Sequence, residues 1–404
     1  MKKKQRKWVK FRHKVVRALL WPYFDITSRL IYGARIEKYK GHKGEPVIIL
    51  FNHVTGYDQF FVSLAFKQPV YYVAMDDLFN KGFLSKLLIY LVAPIPFKKQ
   101  STDLKALKSI LQIVREGGTV SLSPEGNRTY SGRTCEMKPS IASLCKKLKI
   151  PIVLYRIDGG YGVQPRWSDK TRRGRINCGV TRVLEPSEYE HWSEDDLFDV
   201  IRDELELDEA RDTAVFRSKR TAEYLERAMY VCPKCGLTTF ESNRERIKCL
   251  KCDRKIKYLE NTRLEGVGFH FPYKYVADWY AYQNLYINRL DTLKLTDEPL
   301  YREKVRIYDV IPGQRKTLMD DNATIELYGD RVRVLSIDTE PMELFFKEML
   351  GAACVGNNRL NLETKDKVYL VKGDKRFNPV KYVNLYYRYS NLTKGDGNGK
   401  FLGL

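Results

Sequence analysis

Asn52-His53-Val54-Thr55-Gly56-Tyr57-Asp58 follows directly on an apolar run that reads as a buried strand. The chain has five histidines in 404 residues, so an imidazole at a strand end is a candidate for chemistry. His53 would take a proton from an alcohol as it attacks an acyl carbonyl, because imidazole titrates near neutral pH. Asp58 would accept from the other ring nitrogen, fixing the tautomer and stabilising the imidazolium. Five positions rotate about 140° around a regular helix, so the pair needs a turn between its members. Gly56 stands where such a turn could form. Alone, a His-x4-Asp pair leaves a histidine that caps a helix as the simpler reading.

A second group sits at another strand end. Ser121-Leu122-Ser123-Pro124-Glu125-Gly126-Asn127-Arg128-Thr129 is followed downstream by Lys138. Arg128 offers a planar fork for phosphate. Glu125 can hold a hydroxyl, and Gly126 lets backbone approach closely. Together they suit a phosphorylated polyol. A third group is Cys232-Pro-Lys-Cys235-Gly and Cys249-Leu-Lys-Cys252-Asp, two knuckles separated by 13 residues. Four thiolates at this spacing make a closed tetrahedral zinc site, whose role is structural. Iron at the same ligands is an alternative. A redox pair is another, although the surrounding thioredoxin pattern is missing.

His-x4-Asp with Pro-Glu-Gly-x-Arg about 70 residues on resembles the 1-acyl-sn-glycerol-3-phosphate (lysophosphatidic acid) acyltransferase family. The resemblance covers about 45–185 and implies a glycerolphosphate-acyltransferase-like α/β domain. It implies that Asn52, His53 and Asp58 belong to the catalytic motif and that Glu125, Gly126 and Arg128 belong to the acceptor-phosphate motif. Ile150-Pro151-Ile152-Val153 looks like the family's fourth motif. Ile95-Pro96-Phe97-Lys98-Lys99 looks like its second, with Lys99 in the place of an Arg that serves the acceptor phosphate. Ser123 stands for Phe and Asn127 for Thr. Lysine is a point charge, not a bidentate fork, so these departures bear on how the acceptor is held. The implied reaction passes an acyl group directly from coenzyme A, acyl carrier protein or acyl phosphate to the hydroxyl of a lysophospholipid. Substrate-binding residues are then Asn52, Lys99, Glu125, Gly126, Arg128 and Lys138. The Cys-Pro-Lys-Cys-Gly knuckle is similar to those of zinc ribbons and rubredoxin-like modules.

The elements that must position these groups alternate. Strands are expected at 46–51, 69–74, 119–123, 151–157 and 176–183. A helical stripe of Leu104, Leu107, Leu111 and Val114 stops at Gly117-Gly118. Such alternation argues for α/β layers. Residues 193–228 read as acidic helices opened by a capping box from Ser193 to Asp196. A helix is expected at 275–290. Beyond it, six strands at 303–310, 323–328, 331–337, 343–349, 359–364 and 367–372 precede a helix at 378–390. That pattern suggests a small β-rich domain of pleckstrin-homology kind. The domains are expected at 1–44 (basic amphipathic helices), 45–228 (acyltransferase), 229–260 (zinc ribbon) and 261–404 (helix plus β-rich domain).

Net charge is +21, which points to anionic partners. Residues 1–20 hold nine Lys or Arg and no acid, whereas 185–212 hold thirteen acids against two bases. Trp8, Phe11, Val15, Leu19 and Leu20 recur near a period of 3.6 among those cations, the mark of an interfacial helix on an anionic membrane surface. A helix packed on its own domain is the alternative. The apolar run 83–97 contains two prolines, and its longest stretch is 11 residues, too short to span a bilayer, which takes roughly 20. It would serve as a wall for the acyl chain or as a core helix. Eight cysteines in a chain of this length do not form a disulfide scaffold. A reduced, cytoplasmic protein, peripheral on the inner face of the cell membrane, is the simplest reading. The charge and the ribbon also fit a nucleic-acid-binding protein, but that reading leaves both active-site motifs unexplained, so no nucleic-acid partner is expected. A non-catalytic lipid-binding scaffold is disfavoured because His53 and Asp58 are both present.

Overall fold

The computed structural model describes residues 7–75, 83–97, 104–211, 214–311, 316–336 and 340–396. The chain divides into two compact units. The first comprises 1–128, 134–163 and 173–209, and the second 129–133, 164–172 and 210–404.

The first unit runs α1 (Phe11–Tyr32), β1 (Ala34–Ile36), β2 (Ile48–Phe51), α2 (Asp58–Ala65), β3 (Val70–Met75), α3 (Phe83–Val92), β4 (Ile95–Phe97), α4 (Leu104–Arg115), β5 (Thr119–Leu122), α5 (Ser140–Leu148), β6 (Ile152–Asp158), α6 (Gly160–Val163), β7 (Ile176–Leu184), α7 (Pro186–Tyr189) and α8 (Glu194–Leu205). Its seven strands are ordered β1-β7-β6-β2-β5-β3-β4. All neighbours are parallel except β6 and β7. Strand β2 lies mid-sheet and is buried throughout, which is why it reads as an unbroken apolar run. Its partners are β5 (Leu50 opposite Leu122) and β6 (Leu50 opposite Leu154). The carboxyl ends of β2 and β5 therefore lie side by side, where open parallel sheets place their ligands.

The helices show where patterning fell short. On α4 the buried positions are Ala106, Ile110 and Ile113, so the stripe is rotated from the one expected and Leu104 faces outward. Helix α8 opens with the reciprocal capping box of Ser193 and Asp196 but ends at Leu205. Beyond it, among the described residues, short 3₁₀ turns follow at Glu209–Arg211 and Leu225–Arg227 instead of further helices. Residues 210–228 group with the second unit because Ala222, Leu225 and Ala228 are buried in its core.

Helix α1 turns several polar groups inward. Buried His13 bonds the Tyr71 hydroxyl through Nδ1 at 2.8 Å, and burial with nearby Arg12 and Lys10 pushes its pKa down to about 4. Arg17 donates to the carbonyls of Ser63 and Phe66. Phe24 stacks on Phe60 at 4.1 Å and Tyr32 on Tyr57 at 4.7 Å. Phe11, Leu19, Tyr23, Ile26 and Leu30 point outward, Phe11 at 79% exposure and Leu30 at 81%. Trp8, expected on that outer face, packs instead against the core of the first unit and donates its backbone N–H to Glu116. No helix among the described residues is long and apolar enough to cross a membrane.

The second unit begins with the paired strands β8 (Val231–Cys232) and β9 (Gly236–Leu237). A four-stranded meander follows: β10 (Phe240–Asn243), β11 (Arg246–Cys249), β12 (Lys255–Tyr258) and β13 (Leu264–Gly266). After α9 (Val276–Asn288) come β14 (Tyr301–Asp309), β15 (Thr317–Leu327), β16 (Arg331–Leu335), β17 (Met342–Phe345), β18 (Met349–Val355), β19 (Arg359–Thr364), β20 (Val368–Lys372) and α10 (Val380–Thr393). The order β17-β16-β15-β14-β20-β19-β18 joins two antiparallel meanders through the pairing of β14 with β20. Among the described residues seven strands stand where six were expected. The run at 343–349 is a strand end and a turn, and β18 (MLGAACV), rich in small residues and almost wholly buried, lacks the alternation that marks a strand.

Candidate active site

His53 emerges where β2 ends, and Asp58 opens α2. The turn between them is closed by the carboxylate. Asp58 Oδ2 accepts from Val54 N–H at 2.8 Å, and Oδ1 accepts from Thr55 N–H at 3.0 Å and from the Thr55 hydroxyl. On its remaining side Oδ2 meets His53 Nδ1 at 2.7 Å. Asp58 is wholly buried, whereas the His53 side chain is 27% exposed. With Oδ2 as the acceptor, Nδ1 is the N–H nitrogen of the ring, which leaves Nε2 with its lone pair for a substrate. The offset of five residues thus becomes a rigid dyad.

Glu125 comes from the neighbouring strand end. The sequence suggested a hold on an acceptor hydroxyl, and in the structure each carboxylate oxygen of Glu125 accepts from a backbone N–H. One oxygen accepts His53 N–H and the other accepts Cys135 N–H, both at 2.7 Å. Burial pushes its carboxyl up to about 8, against the lowering effect of those two bonds. Glu125 is thereby a strut under the His53 turn. Asn52, expected among the substrate contacts, bonds backbone of the neighbouring strand. Its amide donates to Ile157 O and accepts from Ile157 N–H, each at 2.8 Å, which prolongs the pairing of β2 with β6.

Gly126 is exposed at φ +65°, a left-handed conformation that glycine adopts without strain. Arg128 is half-buried directly beyond it, and Lys138 is exposed just before α5. Lys99 lies outside the described residues. Two supports were missed in the sequence. Thr55 anchors Asp58, and a Cβ on Gly160 would come within 2.4 Å of the Val54 side chain. The adjacent glycines 159 and 160, just past the end of β6, were the available signal.

Part of the sequence has counterparts among known proteins. A family model described as acyltransferase matches residues 34–157. The chain carries an acyltransferase domain. It is 23% identical over 140 residues to a chloroplastic 1-acyl-sn-glycerol-3-phosphate acyltransferase of Brassica napus, covering 34% of this chain and 39% of that relative. The chain thus spans about two fifths of that protein's length. A 1-acyl-sn-glycerol-3-phosphate acyltransferase of Limnanthes douglasii is 22% identical over 211 residues, covering 46% of this chain and 71% of the relative. Among solved structures, the 1-acyl-sn-glycerophosphate acyltransferase PlsC from Thermotoga maritima aligns with TM-score 0.41 and 17% identity, over 48% of this chain and 78% of that one. The motif residues 52–58 and 121–128 lie inside the acyltransferase domain, and its dyad and strut are those described above.

Outside that domain the four predicted cysteines converge. The Sγ atoms of Cys232, Cys235, Cys249 and Cys252 lie within 4.8 Å of one another, with Cys232 and Cys252 at 3.9 Å. Zinc–sulfur bonds of about 2.3 Å in a tetrahedron place sulfurs roughly 3.8 Å apart, so the cluster has the size of a metal site.

Proposed function

We propose that this protein transfers a fatty acyl group from an acyl thioester or acyl phosphate to the hydroxyl of lysophosphatidic acid or a related phosphorylated acceptor. The observation that carries this reading is the 2.7 Å bond between partly exposed His53 and buried Asp58, inside an acyltransferase domain. His53 Nε2 takes the hydroxyl proton while the acceptor oxygen forms a bond to the acyl carbonyl carbon. The tetrahedral intermediate then expels the thiolate or phosphate, which receives the proton back from the imidazolium. Asp58 stabilises that imidazolium through the transfer. Arg128 holds the acceptor phosphate with a fork, and Lys99 and Lys138 add positive charge.

The outward apolar side of α1, set among cations, supports docking on an anionic membrane surface, which for a cytoplasmic protein is the inner face of the cell membrane. The four cysteines would hold one zinc ion with no open position, so the metal contributes stability rather than chemistry. Two meanders joined edge to edge and followed by a helix support a pleckstrin-homology-like reading of 299–393. An experimental structure lacking the β14–β20 pairing would overturn it.

The deciding experiment offers purified protein three donors (acyl coenzyme A, acyl carrier protein thioester and acyl phosphate) against lysophosphatidic acid, other lysophospholipids and monoacylglycerol. Mass spectrometry of the lipid products is expected to show ester formed on phosphorylated acceptors. Monoacylglycerol acylated equally fast, or no new ester with any donor, would overturn the reading.

A further inference from the structure

Helix α1 and the catalytic turn belong to the same unit, and one side chain joins them. Tyr57 stands between the two members of the dyad in sequence, as the last residue before α2. Its ring stacks on Tyr32 at 4.7 Å and packs against Phe60 at 4.4 Å. Its hydroxyl lies 2.5 Å from Thr27 Oγ1. Thr27 has carbonyl acceptors one turn back on α1, Tyr23 O at 3.0 Å and Phe24 O at 3.1 Å. The single threonine proton goes to that helix backbone, so Tyr57 is the donor in the bond between them. Burial pushes the Tyr57 hydroxyl above its ordinary range, which keeps this donor protonated at neutral pH.

From Tyr57 the connection runs on to the dyad. Its backbone N–H donates to Thr55 Oγ1 at 3.0 Å, which leaves the Thr55 proton for Asp58 Oδ1. Asp58 Oδ2 in turn meets His53 Nδ1. Thr27, Tyr57, Thr55, Asp58 and His53 thus form an unbroken series from helix to imidazole. The opposite side of the same stretch of helix faces out, with Tyr23 61% exposed, Ile26 55% and Leu30 81%. Asp25, the lone acid of α1, is shared by Arg29 at 2.8 Å and Lys38 at 3.7 Å, one carboxylate between two cations. Apolar residues set among cations complement an anionic lipid surface. Pro22 interrupts the helix ladder just ahead of this stretch. Residues 23–32 can therefore shift apart from 11–21, which are anchored by His13 on Tyr71 and by Arg17 on Ser63 and Phe66.

We propose that the C-terminal half of α1 positions the dyad through Tyr57, and that lipid contact at Tyr23, Ile26 and Leu30 steadies the dyad and speeds acyl transfer. The proposal rests on the acyl-transfer and docking readings given above. Tyr57 and Thr27 are positioning residues, each acting through Asp58 and not on the substrate. A displacement of about 1 Å at a catalytic group costs about 10² in rate, so a loosened turn costs roughly tenfold. The series makes no contact that holds the acceptor, so the loss falls on kcat and not on KM.

The test measures kcat and acceptor KM on a dissolved short-chain lysophosphatidic acid, with and without phosphatidylglycerol vesicles that contain no acceptor. Active enzyme is counted by titration and vesicle binding by sedimentation. Without vesicles, Thr27→Val and Tyr57→Phe should each lower kcat roughly tenfold, with KM within about twofold of wild type. The double variant should be no slower than either single one, because the same bond is lost once. Thr27→Ser, which keeps the acceptor oxygen, should restore wild-type kcat. Vesicles should raise the kcat of wild type several-fold and leave that of Thr27→Val unchanged, although both proteins sediment. Full kcat per active site in the single variants, or additive losses in the double one, would overturn the proposal. So would a vesicle-bound wild type with unchanged kcat. A wild type that does not sediment would overturn the docking reading instead, and one that transfers no acyl group would overturn the functional reading.

Discussion

Replacing Asp58 by Asn removes one charge and no volume, so its consequences follow from hydrogen-bond accounting. The carboxylate serves His53 Nδ1, Val54 N–H, Thr55 N–H and the Thr55 hydroxyl. An amide offers one oxygen and an NH₂ group. If the oxygen takes the Oδ2 place, the NH₂ faces the Thr55 N–H; if it takes the Oδ1 place, the NH₂ faces Val54 N–H and His53 Nδ1. In the second arrangement Val54 N–H loses its partner, at about 1–3 kcal/mol, whereas in the first Thr55 N–H keeps the oxygen at 3.1 Å but faces the NH₂ group. In the second arrangement His53 must accept at Nδ1, which puts its proton on Nε2 and abolishes the base. In the first, the imidazolium formed during transfer lacks its counter-charge. Both routes lower kcat by roughly 10² to 10⁴ while the protein remains folded. The assay is release of free coenzyme A under saturating substrates, with thermal melting measured in parallel. The double variant with His53→Ala should be no slower than His53→Ala alone, because the two residues act as a unit. Asp58→Asn at a rate within about threefold of wild type would refute the dyad.

Removing the guanidinium with Arg128→Ala should raise KM for a phosphorylated acceptor and leave a phosphate-free acceptor unaffected; equal losses on both would make Arg128 structural. Metal analysis of protein purified without chelators should find one zinc per chain, lost in the double variant Cys232→Ser/Cys235→Ser, with stability around 230–260 falling before kcat does. Glu125 is raised from 4.5 to about 8 on folding, so its contribution is complete below about pH 4.5 and declines as pH rises to about 8. The stability difference between wild type and Glu125→Gln, followed by denaturant titration, should shrink across that window; a flat difference would contradict the raised carboxyl. Leu19→Glu with Leu30→Glu, on the outward side of α1, should weaken binding to anionic vesicles yet spare activity on a short-chain soluble acceptor. Unchanged vesicle binding would move the docking site elsewhere.

The sheet of the first unit was legible because its strands are apolar runs bounded by turn residues, and β2 is the clearest of them. The dyad was legible for a related reason, since His53 and Asp58 bracket the join of that strand to a helix. The strut was not. Glu125 looks like a ligand in the sequence because nothing there reveals that two backbone N–H groups, one of them ten residues on, will claim both oxygens. The pairing of the Asn52 amide with Ile157, 105 positions away, was equally hidden. The edge strands β1 and β4, three residues each, carry too little pattern to be seen. The inward turn of Arg17 reverses what a helix rich in cations suggests, and only tertiary partners at Ser63 and Phe66 explain it.

The central claim is that His53, oriented by Asp58, passes an acyl group to a phosphorylated acceptor. It is tested most directly by mass-spectrometric detection of phosphatidic acid made from lysophosphatidic acid by wild type and by His53→Ala. The account predicts product from wild type and a rate lower by about 10² or more from the variant at equal folded concentration. Comparable product from both proteins would contradict it.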